Sequence, residues 1–339
     1  MKAAILVEKN QPLVIDEIEL PDTLSFGQIK IRILLSGLCG AQLQEIAGLK
    51  NNEKFMPHLL GHEGCGIVES IGPGVTKVKC GDKVVLHWRK ASGIESDFPS
   101  YTWKGKKISG GKVTTLSEYS IVSENRITLI PNDLNNEFSA LLGCGLSTGF
   151  SVVNKDANIK FGESVLVLGC GGIGLSCIYA ANLSYAFPII GVDINENKKY
   201  LVEKNKGSFC HLSEMEKTLK SQKFDCIIDT TGILELVSSV LPFLSEQGRC
   251  ILVAQPKSNS QITITNPTKL FSTNGQSIRT TQAGGFDPDI DIPKYIKLYQ
   301  NNHIDLSKLI THNYHLFDLN KAICKLKTEN VGRIMINPN

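Results

Sequence analysis

The stretch Ser164–Val–Leu–Val–Leu–Gly–Cys–Gly–Gly–Ile–Gly174, followed by Ile189–Ile–Gly–Val–Asp193, decides how the second half of this chain folds. An apolar, β-branched run enters three glycines spaced G-x-G-x-x-G, at Gly169, Gly171 and Gly174. A helical pattern follows, then a second apolar run ending in an acid 19 residues after the last glycine. Glycines alone would describe only a loop. Strand, glycine turn, helix, strand and acid together form the fingerprint of a dinucleotide-binding unit. Gly169 permits the tight turn, Gly171 lets the backbone approach a pyrophosphate, and Gly174 lets helix and strand pack closely. Gly172 and Ile173 open the helix, whose free N–H groups and positive dipole end suit the phosphates. Asp193 is placed to accept from the adenosine ribose hydroxyls, and its charge would repel a 2′-phosphate. The expected coenzyme is NAD rather than NADP.

The bulk composition agrees with an ordinary globular protein. A chain of 339 residues with 42% hydrophobic content can build two domains, each with a core. The net charge of +3 is spread along the chain, which argues against a nucleic-acid or membrane-surface partner. Met1–Leu20 reads as short strands with acids interspersed, so no secretory signal is expected. No apolar run approaches the ~20 residues of a membrane span. The ten cysteines are scattered without any C-x-x-C pair. Cys170, Cys177, Cys226 and Cys250 fall in apolar patterns where buried, reduced thiols are expected, in keeping with a cytoplasmic setting.

Residues 1–130 carry short β-like runs punctuated by glycine: Lys2–Val7, Gln28–Leu35, Gly66–Ile71, Lys83–His87 and Glu118–Val122. From Phe161 the texture becomes strand–helix alternation. Strands are expected at Ser164–Leu168, Pro188–Val192, Phe224–Asp229, Gly248–Val253 and Gln276–Thr280, a pattern that argues for a doubly wound parallel sheet. Helices are expected over Ile292–Gln300 and Leu319–Glu329, with a closing strand at Gly332–Ile336.

Three residues of the first half have the chemistry of zinc ligands: Cys39, His62 and Cys144. Two thiolates and an imidazole leave a fourth position open, the pattern of a catalytic rather than a structural zinc. Their separation in sequence proves nothing by itself, since a lone cysteine beside a glycine is more often core.

The block Gly61–His–Glu–Gly–Cys–Gly–Ile–Val–Glu–Ser–Ile–Gly–Pro–Gly–Val–Thr–Lys–Val–Lys–Cys–Gly–Asp–Lys–Val84 resembles the signature of zinc-dependent alcohol dehydrogenases, within the medium-chain dehydrogenase/reductase superfamily. So do Leu142–Gly–Cys–Gly–Leu–Ser–Thr–Gly149, Gly169–Leu175, Ile189–Asn195 and Thr280–Thr–Gln–Ala–Gly–Gly–Phe286. The resemblance runs from Lys2 to Ile336. It implies an α/β protein: a GroES-like, mostly-β catalytic domain at 1–145 and 284–339, with a Rossmann cofactor domain at 146–283 inserted between. Site residues are expected in the cleft, at the carboxyl ends of the cofactor-domain strands.

That resemblance makes Cys39, His62 and Cys144 the ligands of one zinc per chain, with Glu63 as a carboxylate close to the metal. It implies hydride transfer between a small-molecule alcohol and NAD, giving an aldehyde or ketone. Ionising an unaided alcohol of pKa ~16 at neutral pH costs on the order of 12 kcal/mol, a cost that a bound cation would offset. It further implies Lys198 near the adenosine ribose and Thr148 by the nicotinamide. The backbone of Val253–Gln255 and of Thr281–Ala283 would hold the carboxamide, and Arg279 and Arg333 would face the pyrophosphate. Gln261–Ile–Thr–Ile–Thr–Asn266 matches the strand through which relatives join cofactor domains, implying a homodimer or homotetramer.

Three departures stand out. Relatives carry a hydroxyl two residues after the first cysteine, where this chain has Ala41, so the proton must leave by Gln44, His87, Glu63, water or the substrate's own second hydroxyl. The next position, usually an Asp that supports the zinc-binding imidazole, is Gln42, whose amide oxygen can still fix the ring tautomer. The four-cysteine lobe that holds a structural zinc is absent, since residues 87–115 contain no cysteine. His87 and Trp88 then line the expected substrate pocket, with Ala41 and Gln42 beside them. Arg89 and Lys90 favour a polar, polyol or sugar-like substrate. The pattern Tyr200–Leu–Val–Glu–Lys204 stands directly after Asp193, the wrong place for a short-chain dehydrogenase. The three intact ligands disfavour a zinc-free quinone reductase. A non-catalytic NAD-binding sensor is the alternative that Ala41 and Gln42 would suit.

Overall fold

The strand Gln28–Leu38 organises the first half of the molecule because Ile29, Ile31 and Ile33 all point inward and are fully buried. The computed structural model describes residues 1–50, 53–257, 259–328 and 331–339. These divide into two units, Met1–Ser147 with Asp287–Leu306 and Ile310–Asn339, and Thr148–Phe286 with Ser307–Leu309. The junctions fall at 147 and 286, where 145 and 283 are the sequence expectation. Ser307–Leu309 joins the second unit because Lys204 donates to the Ser307 carbonyl at 2.6 Å and Asn205 to the Lys308 carbonyl at 2.9 Å.

The first unit contains two sheets. In the larger, Gln28–Leu38 lies between Glu63–Ile71 and the C-terminal strand Arg333–Asn337, and also pairs with Tyr119–Ser123. The register sets Ile334 opposite Leu38 and Glu63 opposite His87, so residues far apart in the chain meet at one end of the sheet. The smaller sheet runs Val14–Glu17, Lys2–Leu6, His58–Leu59, Lys106–Ser109, Ser100–Trp103 in spatial order.

The last two of those strands form a hairpin in the segment without cysteines. Its turn is Lys104–Gly105, with positive φ at both residues, as a tight two-residue hairpin turn requires. Ion pairs hold the preceding loop. Arg126 donates to both Glu95 oxygens at 3.0 Å and to the Trp88 carbonyl at 2.6 Å. Burial opposes ionisation of Glu95, yet Arg126, Asn125 and Lys112 together hold its carboxyl down to about 2.

The second unit is a six-stranded, wholly parallel sheet. Numbered in chain order, its strands are Val165–Leu168, Ile189–Asp193, Ser208–His211, Phe224–Asp229, Leu244–Leu252 and Ser277–Thr280. Their spatial order is 3-2-1-4-5-6, the order of a dinucleotide-binding fold. Ser208–His211 has no counterpart among the five strands expected from sequence. Gln261–Asn266 is corrected in the other direction: it forms no strand, and Ile262 and Ile264 pack instead on the unit's own core.

The expected C-terminal helix is Leu319–Thr328; its last residue, Glu329, lies outside the described residues. Among the described residues, no helix is long and apolar enough to cross a membrane.

Candidate metal centre and dinucleotide cradle

Cys39 stands where the strand Gln28–Leu38 ends, as the extended N-cap residue of the helix Gly40–Ile46. His62 follows Gly61, whose φ of +100° and close approach to the Leu116 amide admit only a residue without Cβ. Cys144 follows the helix Asn136–Leu141, its N–H donating to the Leu141 carbonyl at 3.4 Å. The ligand atoms of Cys39, His62 and Cys144 all lie within 4.8 Å of one another. Two sulfurs and one ring nitrogen suit zinc and leave a position for a fourth ligand.

The electrostatics single out the same cluster. The Cys144 thiol beside it, with the His62 ring and Arg333, pulls Cys39 well below the ordinary thiol value despite burial. Core thiols do the opposite: burial pushes Cys65 and Cys226 up to about 12 and raises Cys170, Cys177 and Cys250 further still. These last four are the buried, unpaired cysteines expected from their apolar surroundings.

Glu63 is not part of the ligand cluster. Its fully buried carboxylate accepts from the Gly145 amide at 2.7 Å and pairs with the Arg333 guanidinium. His62 stands just before the strand Glu63–Ile71 and Glu63 is its first residue, and the two side chains serve different partners. Arg333, expected at a pyrophosphate, is 3% exposed and committed to this ion pair. Sequence gave no sign of that pairing, since 270 positions separate the two residues.

His87 is also corrected. It is fully buried in the strand Lys83–His87, with Nδ1 donating to the Arg89 carbonyl at 2.6 Å and Nε2 accepting from Thr128 Oγ1 at 3.1 Å. A ring held at both nitrogens inside a sheet neither lines a pocket nor relays a proton to solvent. Trp88 remains half-exposed, with the Arg89 guanidinium 5.7 Å from its ring centroid. Ala41 is half-buried in the helix Gly40–Ile46. Gln42 is fully buried between two of the metal-ligand candidates, 2.7 Å from His62 Nδ1.

The coenzyme candidates of the second unit gather at the carboxyl ends of its strands. Gly169 turns the chain at φ +84°, and Gly172–Leu183 forms the following helix, containing Ile173. A Cβ on Gly174 would stand 1.8 Å from the Gly169 carbonyl oxygen, so this close packing demands glycine. Gly171 is different: a Cβ there would meet nothing within 4 Å. The protein's own packing does not require that glycine, whereas a phosphate approaching the backbone would. Asp193 accepts from the Cys170 and Asn195 amides, one per carboxylate oxygen, leaving lone pairs for ribose hydroxyls. Lys198 is buried near it, and that burial lowers its pKa while Asp193 opposes the change.

Val253 continues its strand, donating to the Asp229 carbonyl at 2.9 Å, and the Gln255 carbonyl lies close over Gly232. The Thr281 hydroxyl pairs with Asp156 and accepts from the Gly284 amide at 2.9 Å, beside Ala283 in a left-handed conformation. Arg279 is exposed on the last strand, 3.5 Å from the Asp156 carbonyl. Thr148 Oγ1 is buried without a hydrogen-bond partner, an unmet polar group that a coenzyme hydroxyl or amide would satisfy. Thr230 belongs to the cradle although sequence reading passed over it. Its hydroxyl lies 2.9 Å from the Leu168 and Gly169 carbonyls and braces the glycine turn. The signal was the small polar pair Thr230–Thr231 directly after a strand ending in Asp229.

Comparison with known proteins agrees with both halves. Residues 25–132 match the alcohol dehydrogenase GroES-like domain. The chain is 31% identical over 361 residues to alcohol dehydrogenase class-3 of Pisum sativum, covering 95% of this chain and 93% of that one. Among solved structures, an alcohol dehydrogenase zinc-binding domain protein from Burkholderia ambifaria superposes with a TM-score of 0.89 at 22% identity, over 99% of this chain and 98% of its own. The 2R,3R-butanediol dehydrogenase of Bacillus subtilis does so at 0.79 and 23%, over 100% and 99%. With a Cys–His–Cys cluster, a dinucleotide-binding fold and near-complete coverage of such relatives, the chain belongs to the zinc-dependent alcohol dehydrogenases of the medium-chain dehydrogenase/reductase superfamily.

Proposed function

We propose that this member is a zinc- and NAD-dependent alcohol dehydrogenase that interconverts a polar, polyol or sugar-like alcohol and its carbonyl. The convergence of Cys39, His62 and Cys144 within 4.8 Å carries the proposal. Zinc, when bound there, supplies Lewis acidity toward a substrate oxygen, and NAD supplies the hydride acceptor. The protein's part is placement and charge. Cys39 and Cys144 are each 7% exposed, which keeps bulk water from competing for the metal. Asp193 favours a 2′-hydroxyl over a 2′-phosphate. Thr148 offers its unpartnered hydroxyl to the nicotinamide end.

The polar substrate class rests on Trp88, Arg89 and the exposed Lys90, which stand where an apolar pocket wall would suit a simple aliphatic alcohol. It rests also on Ala41. Without a hydroxyl at that position, a second hydroxyl on the substrate can carry the proton outward. The same reading makes the protein a homodimer or homotetramer, which sedimentation of the zinc-loaded protein checks.

The decisive experiment pairs metal analysis with turnover. The purified chain is expected to hold about one zinc per chain and to reduce NAD with a polyol, and Cys39→Ala is expected to lose both. A wild-type chain without zinc, or a Cys39→Ala variant with undiminished turnover, defeats the reading. A panel in which only ethanol and hexanol are oxidised defeats the substrate class alone.

A further inference from the structure

Gln42 touches two of the three candidate ligand residues, Cys39 and His62, through the two ends of one side-chain amide. It is the third residue of the helix Gly40–Ile46, where its side-chain oxygen accepts the Cys39 amide N–H at 2.9 Å. The Gln42 backbone N–H in turn donates to the Cys39 carbonyl at 3.0 Å, so the two residues are tied at the helix start in both directions. Its remaining side-chain group, the NH₂, lies 2.7 Å from His62 Nδ1. The side chain is fully buried, so water does not replace a missing partner.

An amide has one acceptor end and one donor end. Facing the NH₂, Nδ1 is the acceptor, and a neutral His62 ring then carries its proton on Nε2. A ring that ligates through Nε2 needs the opposite tautomer, with the proton on Nδ1 and donating outward. Turning the amide over gives His62 an acceptor but sets the NH₂ against the Cys39 N–H, and the cap is lost. No orientation of a neutral amide serves both neighbours once the metal is bound. A carboxylate has two acceptor oxygens and would serve both together.

We propose that Gln42 is a positioning residue that weakens metal retention: the helix cap at Cys39 and the zinc-binding tautomer of His62 compete for its single oxygen. The inference rests on the metal site of the proposed function and concerns how tightly that site holds its ion. Outer partners of metal ligands typically change metal affinity 10–100-fold. The near-isosteric Gln42→Glu change is therefore expected to slow zinc release by at least ~10-fold.

The test measures zinc transfer from the zinc-loaded full-length protein to a chromophoric chelator, for wild type and Gln42→Glu. Slower release and a lower dissociation constant in the variant are expected. Equal or faster release overturns the inference while leaving the proposed function intact, and zinc uptake by neither protein overturns both. A second readout covers the case in which the buried carboxylate impairs folding. In metal-free wild type, long-range nitrogen–proton NMR of the neutral His62 ring is expected to place its proton on Nε2. A proton on Nδ1 overturns the inference without recourse to any variant.

Discussion

Burial holds the His87 ring neutral down to about 4, against an ordinary value near 6.5. The depressed folded-state pKa fixes the sign of its effect on stability. Below pH 6.5 the unfolded chain gains a proton at this residue that the folded chain refuses, so folding weakens as pH falls toward 4 and changes no further beneath it. The full span corresponds to at most about 3 kcal/mol. Urea midpoints measured from pH 7 to 4 should fall more steeply for wild type than for His87→Gln, with the two slopes equal above pH 7. Parallel slopes throughout would show that the ring titrates freely. Sequence could place His87 at the end of a strand but not say which way it faces; the register opposite Glu63 decides that. The candidate metal ligands were legible for a different reason. Residue type made Cys39, His62 and Cys144 candidates, and the resemblance of the blocks around His62 and Cys144 to a known signature joined them into one set.

The strand, turn and helix from Val165 to Leu183 form the most tightly specified element. Because a methyl group on Gly174 would intrude to 1.8 Å of the Gly169 carbonyl, Gly174→Ala must push the helix start away from the sheet. A backbone shift of this kind costs typically 1–3 kcal/mol and withdraws the helix N–H groups from the phosphates. The expected outcome is a variant that binds NAD at least ~10-fold more weakly in calorimetry while its zinc content is unchanged. Unaltered NAD affinity would mean that this turn does not hold the pyrophosphate. Such an element is readable because glycine spacing and β-branched runs encode it locally. Ser208–His211 is not, since its Ser–Phe–Cys–His sequence has neither alternation nor a β-branched run and owes its extension to pairing with Ile189–Asp193. Gln261–Asn266 fails oppositely: its alternation is real, but in the single chain it buries Ile262 and Ile264 without a pairing strand.

At the scale of the molecule, the two chemistries are divided between the two units. Every candidate metal ligand lies in the unit closed by the C-terminal strand, whose Ile334 pairs with Leu38 one residue before Cys39. The glycine turn, Asp193, Lys198, Thr148 and the Val253–Gln255 and Thr281–Ala283 segments all lie in the other. A ligand stabilises the structure that binds it by RT ln(1 + [L]/Kd), about 2.7 kcal/mol at a hundredfold excess over Kd. Zinc and NAD should therefore protect different amides from hydrogen exchange. Removing zinc with a chelator is expected to speed exchange around residues 38–44, 61–64 and 143–145 and leave 165–175 unchanged. Adding NAD to the metal-free protein should slow exchange at 169–173, 192–195 and 253–255. Protection by NAD confined to the first unit would contradict the assignment of the coenzyme to the parallel sheet. Loss of protection across both units on zinc removal would show instead that one metal site governs the folding of the whole chain.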